Sequence, residues 1–222
     1  MTALAARPAT FGFVLLALGA CEEVPRTYST REAPTVHAGA VIYENDFSEP
    51  LGPEWNATGR GGKVVDGSLR LARLRNHPLW LDKPLPDDLR IEFDAWAETA
   101  EGDIKVELAG DGQSFATEAS YTATGYVVIL GGWDNSLDVI ARRNEHGDDR
   151  LAEESLGVEA GRRYHFVLTR RAGELRWEID GKLVMTYEDP DPLVGPGQDR
   201  FAFNDWMAPV RFDNLRIVAL DP

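Results

Sequence analysis

From residue 41 onward the sequence predicts an all-β fold, a two-sheet antiparallel sandwich of the jelly-roll type, on three observations. Apolar and polar residues alternate at period two, most plainly in Leu89–Ala97, where Ile91, Phe93, Ala95 and Ala97 share one face. Asp-Gly pairs stand between alternating runs, which is the strongest short-range hairpin signal. No sustained helical apolar period interrupts them.

The elements follow in chain order. Asp66-Gly67 turns the chain between Val64-Val65 and Leu69-Arg70-Leu71, and Asp180-Gly181 does so between the runs ending at Ile179 and starting at Leu183. Further strands are read at Ile104 to Leu108, Tyr126 to Leu130, Leu137 to Arg142, Tyr164 to Thr169, Arg200 to Phe203 and Val210 to Val218. Asp149 to Ser155 is read as a short turn of helix. About a dozen short strands punctuated by Gly and Pro bury their apolar faces best as two packed sheets.

The N-terminus is of another kind. Arg7 precedes an apolar run from Phe11 to Ala20, too short for the about 20 residues that cross a bilayer, but fitting the apolar region of a signal peptide. The run ends Leu18-Gly19-Ala20-Cys21 and resembles the lipobox of bacterial lipoproteins, which implies lipidation of Cys21 and cleavage before it. Two or more acyl chains give stable membrane attachment. Residues 22 to 40 are polar and broken by Pro25 and Pro34, a tether without a core of its own. The expected organisation is a signal peptide at 1–20, a lipidated N-terminus and tether at 21–40, and the sandwich at 41–222. The location that follows is the bacterial cell envelope, outside the cytoplasm, on a membrane.

Composition narrows the function classes. With Cys21 the single cysteine and taken by lipid, no disulfide is available, so the core alone must stabilise the fold. A formal charge of −14 excludes a basic surface for nucleic acid. Neither a nucleophile elbow, a phosphate loop nor a dinucleotide fingerprint occurs.

Within the sandwich, Glu44-Asn45-Asp46-Phe47-Ser48, Trp55, Val64-Val65-Asp66-Gly67-Ser68-Leu69, Asp88-Leu89-Arg90-Ile91-Glu92-Phe93, Ile179-Asp180-Gly181 and Phe212-Asp213-Asn214-Leu215-Arg216-Ile217 follow in this order. The set resembles concanavalin A-like (laminin G-like) jelly rolls, nearest to the 3-keto-disaccharide hydrolase-like domains. The resemblance implies lectins, carbohydrate-binding modules, hydrolases or lyases as relatives, with ligands on the concave sheet and its edge loops. It also implies a structural calcium ion near the chain ends, with Asp46 and Asp213 as its carboxylates.

The candidate chemistry is aromatic and acidic. Glu92 and Asp94 lie about 7 Å apart on one strand and are the candidate catalytic carboxylates. Family 16 glycoside hydrolases, which share this fold, carry Glu-x-Asp-x-Glu or Glu-x-Asp-x-x-Glu. Here Glu98 comes later and lies about 20 Å from Glu92, against the about 5 Å that retaining chemistry needs. A solvated polar face opposite Ile91 and Phe93 is the plainer reading of the same residues. Strand parity puts Trp96 on that polar face, where its ring suits the C–H face of a pyranose or covers a sheet edge. Gly131-Gly132-Trp133-Asp134-Asn135 and Asn204-Asp205-Trp206 offer stacking rings beside polar groups, with Arg142 close in sequence, and His77 with Trp80 makes a similar loop. His165 reads as structural. Trp96, Trp133, Asp134, Asn135, Arg142, Asn204 and Trp206 are therefore the expected ligand contacts. The leading expectation is a lipid-anchored glycan-binding protein, with a glycan-active hydrolase or lyase and a structural envelope protein as the alternatives.

Overall fold

A computed structural model describes residues 38–117 and 122–221, so Cys21, the signal peptide and most of the tether lie outside the described residues. Fifteen strands occur among them: β1 (Ala38–Asn45), β2 (Trp55–Ala57), β3 (Lys63–Val65), β4 (Ser68–Leu71), β5 (Leu79–Leu81), β6 (Leu89–Ala97), β7 (Ile104–Gly110), β8 (Thr122–Gly131), β9 (Leu137–Asn144), β10 (Leu151–Glu154), β11 (Tyr164–Arg171), β12 (Glu174–Ile179), β13 (Lys182–Glu188), β14 (Arg200–Asn204) and β15 (Val210–Leu220). The first sheet runs β13-β12-β11-β6-β15-β4-β3, with β1 also on β15, and the second runs β10-β9-β8-β7-β14-β5-β2. The fold is the expected two-sheet antiparallel sandwich.

Local chemistry accounts for the turns. Asp66-Gly67 joins β3 to β4 and Asp180-Gly181 joins β12 to β13, with positive φ at all four residues, the twist that matches two-residue hairpins. In β6 the alternation is complete, every odd-numbered residue buried and every even-numbered one half-buried. The helical turn expected over Asp149 to Ser155 is instead β10, paired antiparallel with β9 from Leu151↔Ile140 to Glu154↔Leu137. One helical turn fixes several residues for a single hydrogen bond, whereas pairing along β9 gains a ladder.

Between the sheets the core is aromatic. Phe203 lies 4.1 Å from Phe212, 4.9 Å from Phe201, 5.5 Å from Phe93 and 5.8 Å from Trp55, ring centre to ring centre. Phe93 stacks in turn on Phe166 at 4.8 Å. These rings come from both sheets and hold the two together. β15 changes partner midway, from β4 at Val210–Phe212 to β1 at Leu215–Leu220. The change falls at an irregularity between Asp213 and Arg216, where Asn214 has φ 52°.

Candidate functional site

β7 sends Ile104, Val106 and Leu108 into the core, so parity turns Lys105 and Glu107 to the outer face of the second sheet. Both are nonetheless buried, Lys105 to 2 % exposure. Segments 72–78 and 111–117 and the turn after β9 cover that face. The Ala116 amide donates to the Asn76 carbonyl at 2.8 Å, and Trp80 Nε1 donates to the Ser114 carbonyl at 3.0 Å. Trp80, expected in a ligand loop with His77, is fully buried in β5 beneath this cover, because Leu79 and Leu81 point to the core and leave it the outer face. His77 stacks instead on Phe115 at 5.0 Å.

Between the covering segments opens a cleft of about 970 Å³, whose lining includes Asp103, Lys105, Trp133, Asp134, Glu145 and Trp206. Its floor is a charge network. Lys105 Nζ donates to Asn76 Oδ1 at 2.9 Å, and lies 2.9 Å from Glu145 Oε2 and 3.8 Å from Asp103 Oδ1. Burial pulls the Lys105 ammonium toward neutrality, but Asp103 and Glu145 outweigh it and hold its pKa above the usual lysine value. Burial raises the Asp103 carboxyl, with Lys105 acting against the rise. Beneath, Asn204 Nδ2 donates to Glu107 Oε1 at 2.8 Å.

Two strained segments frame the cleft. Arg73, Arg75 and Asn76 have φ of 58°, 54° and 60°, and Asp205 holds them there. Its carboxylate accepts from the Arg73 amide at 2.8 Å and the Leu74 amide at 3.0 Å, while the Asn76 amide donates to its carbonyl at 3.1 Å. On the other side Trp133, Asp134 and Asn135 form a left-handed turn with φ of 51°, 56° and 61°. A left-handed non-glycine residue costs roughly 1–2 kcal/mol. Asn135 offsets this by accepting from the Val158 amide at 2.8 Å and donating to the Val158 and Ala100 carbonyls. The turn also needs Gly102, since a Cβ there would meet the Gly131 carbonyl oxygen at 2.2 Å. Arg73, Asn76, Asp103, Trp133 and Asp134 all line the cleft and all have positive φ. Residues held in such conformations are enriched at functional sites, which makes this cleft the candidate.

Burial pushes the Asp205 carboxyl up to about 7, with the Leu74 and Arg73 amides opposing and Asp103 adding to the rise. A carboxyl raised on folding stabilises the fold below its unfolded value of 3.8, and that stability is lost as pH climbs toward 7. The melting temperature of Asp205→Asn should therefore fall less steeply between pH 4.5 and 7.5 than that of the wild type. Equal slopes in both proteins would remove Asp205 as the titrating group.

The expected ligand residues divide. Trp133, Asp134 and Trp206 line the cleft. Asn204 lies under its floor and Asn135 stabilises its wall. Arg142 is engaged elsewhere, its Nε 2.9 Å from Asp189 Oδ2 and its Nη2 3.5 Å from Asp191 Oδ2. Trp96 does not share a groove with Trp133: β6 belongs to the first sheet, and Trp133 follows β8 of the second. Each turns away from the common core, and the Arg163 guanidinium lies 4.0 Å over the Trp96 ring centre. Glu92 and Asp94 share that outer face of the first sheet. His165 lies between them, Nδ1 2.9 Å from Asp94 Oδ1 and Nε2 3.8 Å from Glu92 Oε2. Asp46 accepts from Ser48, and Asp213 pairs with Arg163 at 3.1 Å. No group of three or more Asp, Glu, His or Cys placed to hold a metal ion occurs among the described residues.

Sequence reasoning missed Asp103, Lys105 and Glu145, and named Asp205 only as part of the Asn204-Asp205-Trp206 loop. The one local signal was Asp103-x-Lys105-x-Glu107, three charges at period two on a strand.

No protein-family model matches the chain, and no curated protein matches its sequence. Solved structures match its fold. One comes from work on endo-acting O-glycanases that prominent members of the human gut microbiota express to initiate mucin breakdown. It is 14% identical with a TM-score of 0.55 over 82% of this chain and 100% of that one. A Bacillus subtilis protein of unknown function with a galectin-like fold is 15% identical, with a TM-score of 0.53 over 83% of this chain and 98% of its own. A laminarinase from Rhodothermus marinus is 12% identical, with a TM-score of 0.55 over 85% and 100%. At these identities the likeness shows the fold, a jelly-roll sandwich of the concanavalin A-like kind.

Proposed function

From a jelly-roll sandwich with a strained, aromatic-walled cleft on one sheet, we propose that this chain binds glycans outside the cytoplasm, held to a bacterial membrane by lipid on Cys21. The cleft carries the reading. It has the size of a small-molecule site, an apolar wall at Ile129 and Trp133, and polar groups converging on its floor. One of the similar structures comes from work on endo-acting O-glycanases and another is a laminarinase, which supports a saccharide as the ligand. The lipobox at Leu18-Gly19-Ala20-Cys21 supports the anchor, and the polar stretch to residue 40 supports a tether.

A second reading, a glycan-active enzyme, draws on Asp103 and Glu145. Both carboxylates reach the same Lys105 ammonium, at 3.8 and 2.9 Å, which brings two acids together on one floor, as glycosidases require. The ammonium standing between them favours binding over hydrolysis.

The test has two arms. The full chain should fractionate with membranes and bind saccharides on a glycan array without releasing reducing ends, and Cys21→Ser should leave the membrane fraction. A chain that binds no saccharide ends the glycan reading, reducing-end release installs the enzyme in its place, and a Cys21→Ser variant still on membranes after an alkaline wash removes the lipid anchor.

A further inference from the structure

The two tryptophans of the cleft are not equivalent. Trp133 is engaged by the protein itself. The Arg150 guanidinium lies 4.8 Å from its ring centre, His146 meets it edge-on at 5.4 Å, and the ring packs on the apolar cluster of Val127, Ile129 and Val139. Trp206 is 41 % exposed and has no ring or cation partner among the described residues. Its backbone is nevertheless fixed, the amide donating to Asp103 Oδ2 at 2.7 Å and the carbonyl accepting from the Arg75 amide at 3.0 Å. A large apolar ring held rigidly at a cleft mouth and left to water is poised to be covered.

The polar groups around it sort by type. The floor's ammonium, on Lys105, is spent on Asn76, Glu145 and Asp103. Arg70, also on the lining, is bound through two nitrogens to Glu98. Acceptors remain. Glu145 is closed off, its Oε2 buried 2.9 Å from Lys105 Nζ and its Oε1 accepting from Asn76 Nδ2 at 3.3 Å, whereas the Asp134 and Glu101 carboxylates stand exposed on the lining. Arg73, exposed at the rim, is the lining arginine or lysine without a carboxylate partner among the described residues, and salt screens an exposed charge. A ligand here meets acceptors and must bring donors. A carboxylate or sulfate brings neither donors nor a welcome charge, whereas sugar hydroxyls bring donors.

We propose that the cleft selects saccharides without acidic groups, one sugar ring stacked on Trp206 and its hydroxyls donating to the Asp134 and Glu101 carboxylates, with Trp133 a wall rather than a platform. This rests on the glycan-binding reading above. A pyranose offers an apolar C–H face to the indole and outward hydroxyls to the carboxylates.

The experiment is titration of the full chain, as wild type, Trp206→Ala and Trp206→Phe, each with a thermal melt. The probes are neutral oligosaccharides of α- and β-linked glucose, galactose and mannose, their uronic acid counterparts, and glucosamine oligomers with free amines. Neutral probes should bind at least tenfold more tightly than their uronic acid counterparts, and the glucosamine oligomers at least as tightly as the neutral ones. Trp206→Ala should weaken neutral binding roughly five- to a hundredfold, the share of one large side chain, and Trp206→Phe should recover most of it. All three should melt together, because the ring is not in the core. Tighter binding of a uronic acid probe, or wild-type affinity in Trp206→Ala, overturns this selection at Trp206 while glycan binding stands. Binding of no probe overturns both.

Discussion

Phe203→Ala should cost the domain about 3–5 kcal/mol, out of a total stability of about 5–15 kcal/mol. Phe203 touches five aromatic neighbours, Phe47, Trp55, Phe93, Phe201 and Phe212, at ring centres of 4.1 to 6.1 Å. Truncation removes the transfer energy of the ring and leaves a void that neighbours anchored in two different sheets fill only in part. For a domain of this size the loss corresponds to roughly 6–20 °C in melting temperature. A variant that melts within about 2 °C of the wild type would show that the two sheets repack freely, against the close-packed core described above.

Lys105→Met should be nearly as damaging, for an electrostatic reason. The methionine fills the space but leaves Asp103 and Glu145 facing each other without their cation. Removing one partner of a buried pair costs about 3–5 kcal/mol, because the remaining charge is stranded. The sign of the pH response is fixed. Burial already raises Asp103, and without Lys105 it rises further, so the variant should regain stability relative to the wild type as pH falls and the carboxyls take up protons. Thermal melts from pH 5 to 8 check this. A deficit that does not narrow toward pH 5 would mean that lost packing, not stranded charge, is what the variant suffers. Lys105→Met combined with Glu145→Gln should recover part of the loss at pH 7.5.

The fold was legible where one residue's surroundings depend on its own strand. Alternation in Leu89–Ala97 gave the buried face of β6 residue by residue, and the two Asp-Gly pairs gave their hairpins. The parity of Trp96 was also readable, and the ring does lie off the core. Which sheet it lies on was not, because strand order is set by pairings far apart in sequence, such as Trp96 with Arg211. The cleft was hidden for a related reason. Asp103-Ile104-Lys105-Val106-Glu107 reads as a strand with one solvated side, and only segments 72–78 and 111–117 folding over it make that side an interior. Gly131-Gly132 announced a turn before Trp133, but nothing local required three non-glycine residues to be left-handed. Asn135's side-chain bonds to Val158, 23 residues away, supply that requirement.

The placing of β15 has a consequence for the order in which the protein is built. This strand lies between β6 on one side and β4 and β1 on the other, so the middle of the first sheet is the last strand of the sandwich to be synthesised. Until residue 220 has been added, β6 and β4 have no neighbour to join them and β1 has no partner at all. Non-local pairing of this kind slows folding. The middle of the first sheet therefore cannot close before β15 has been made.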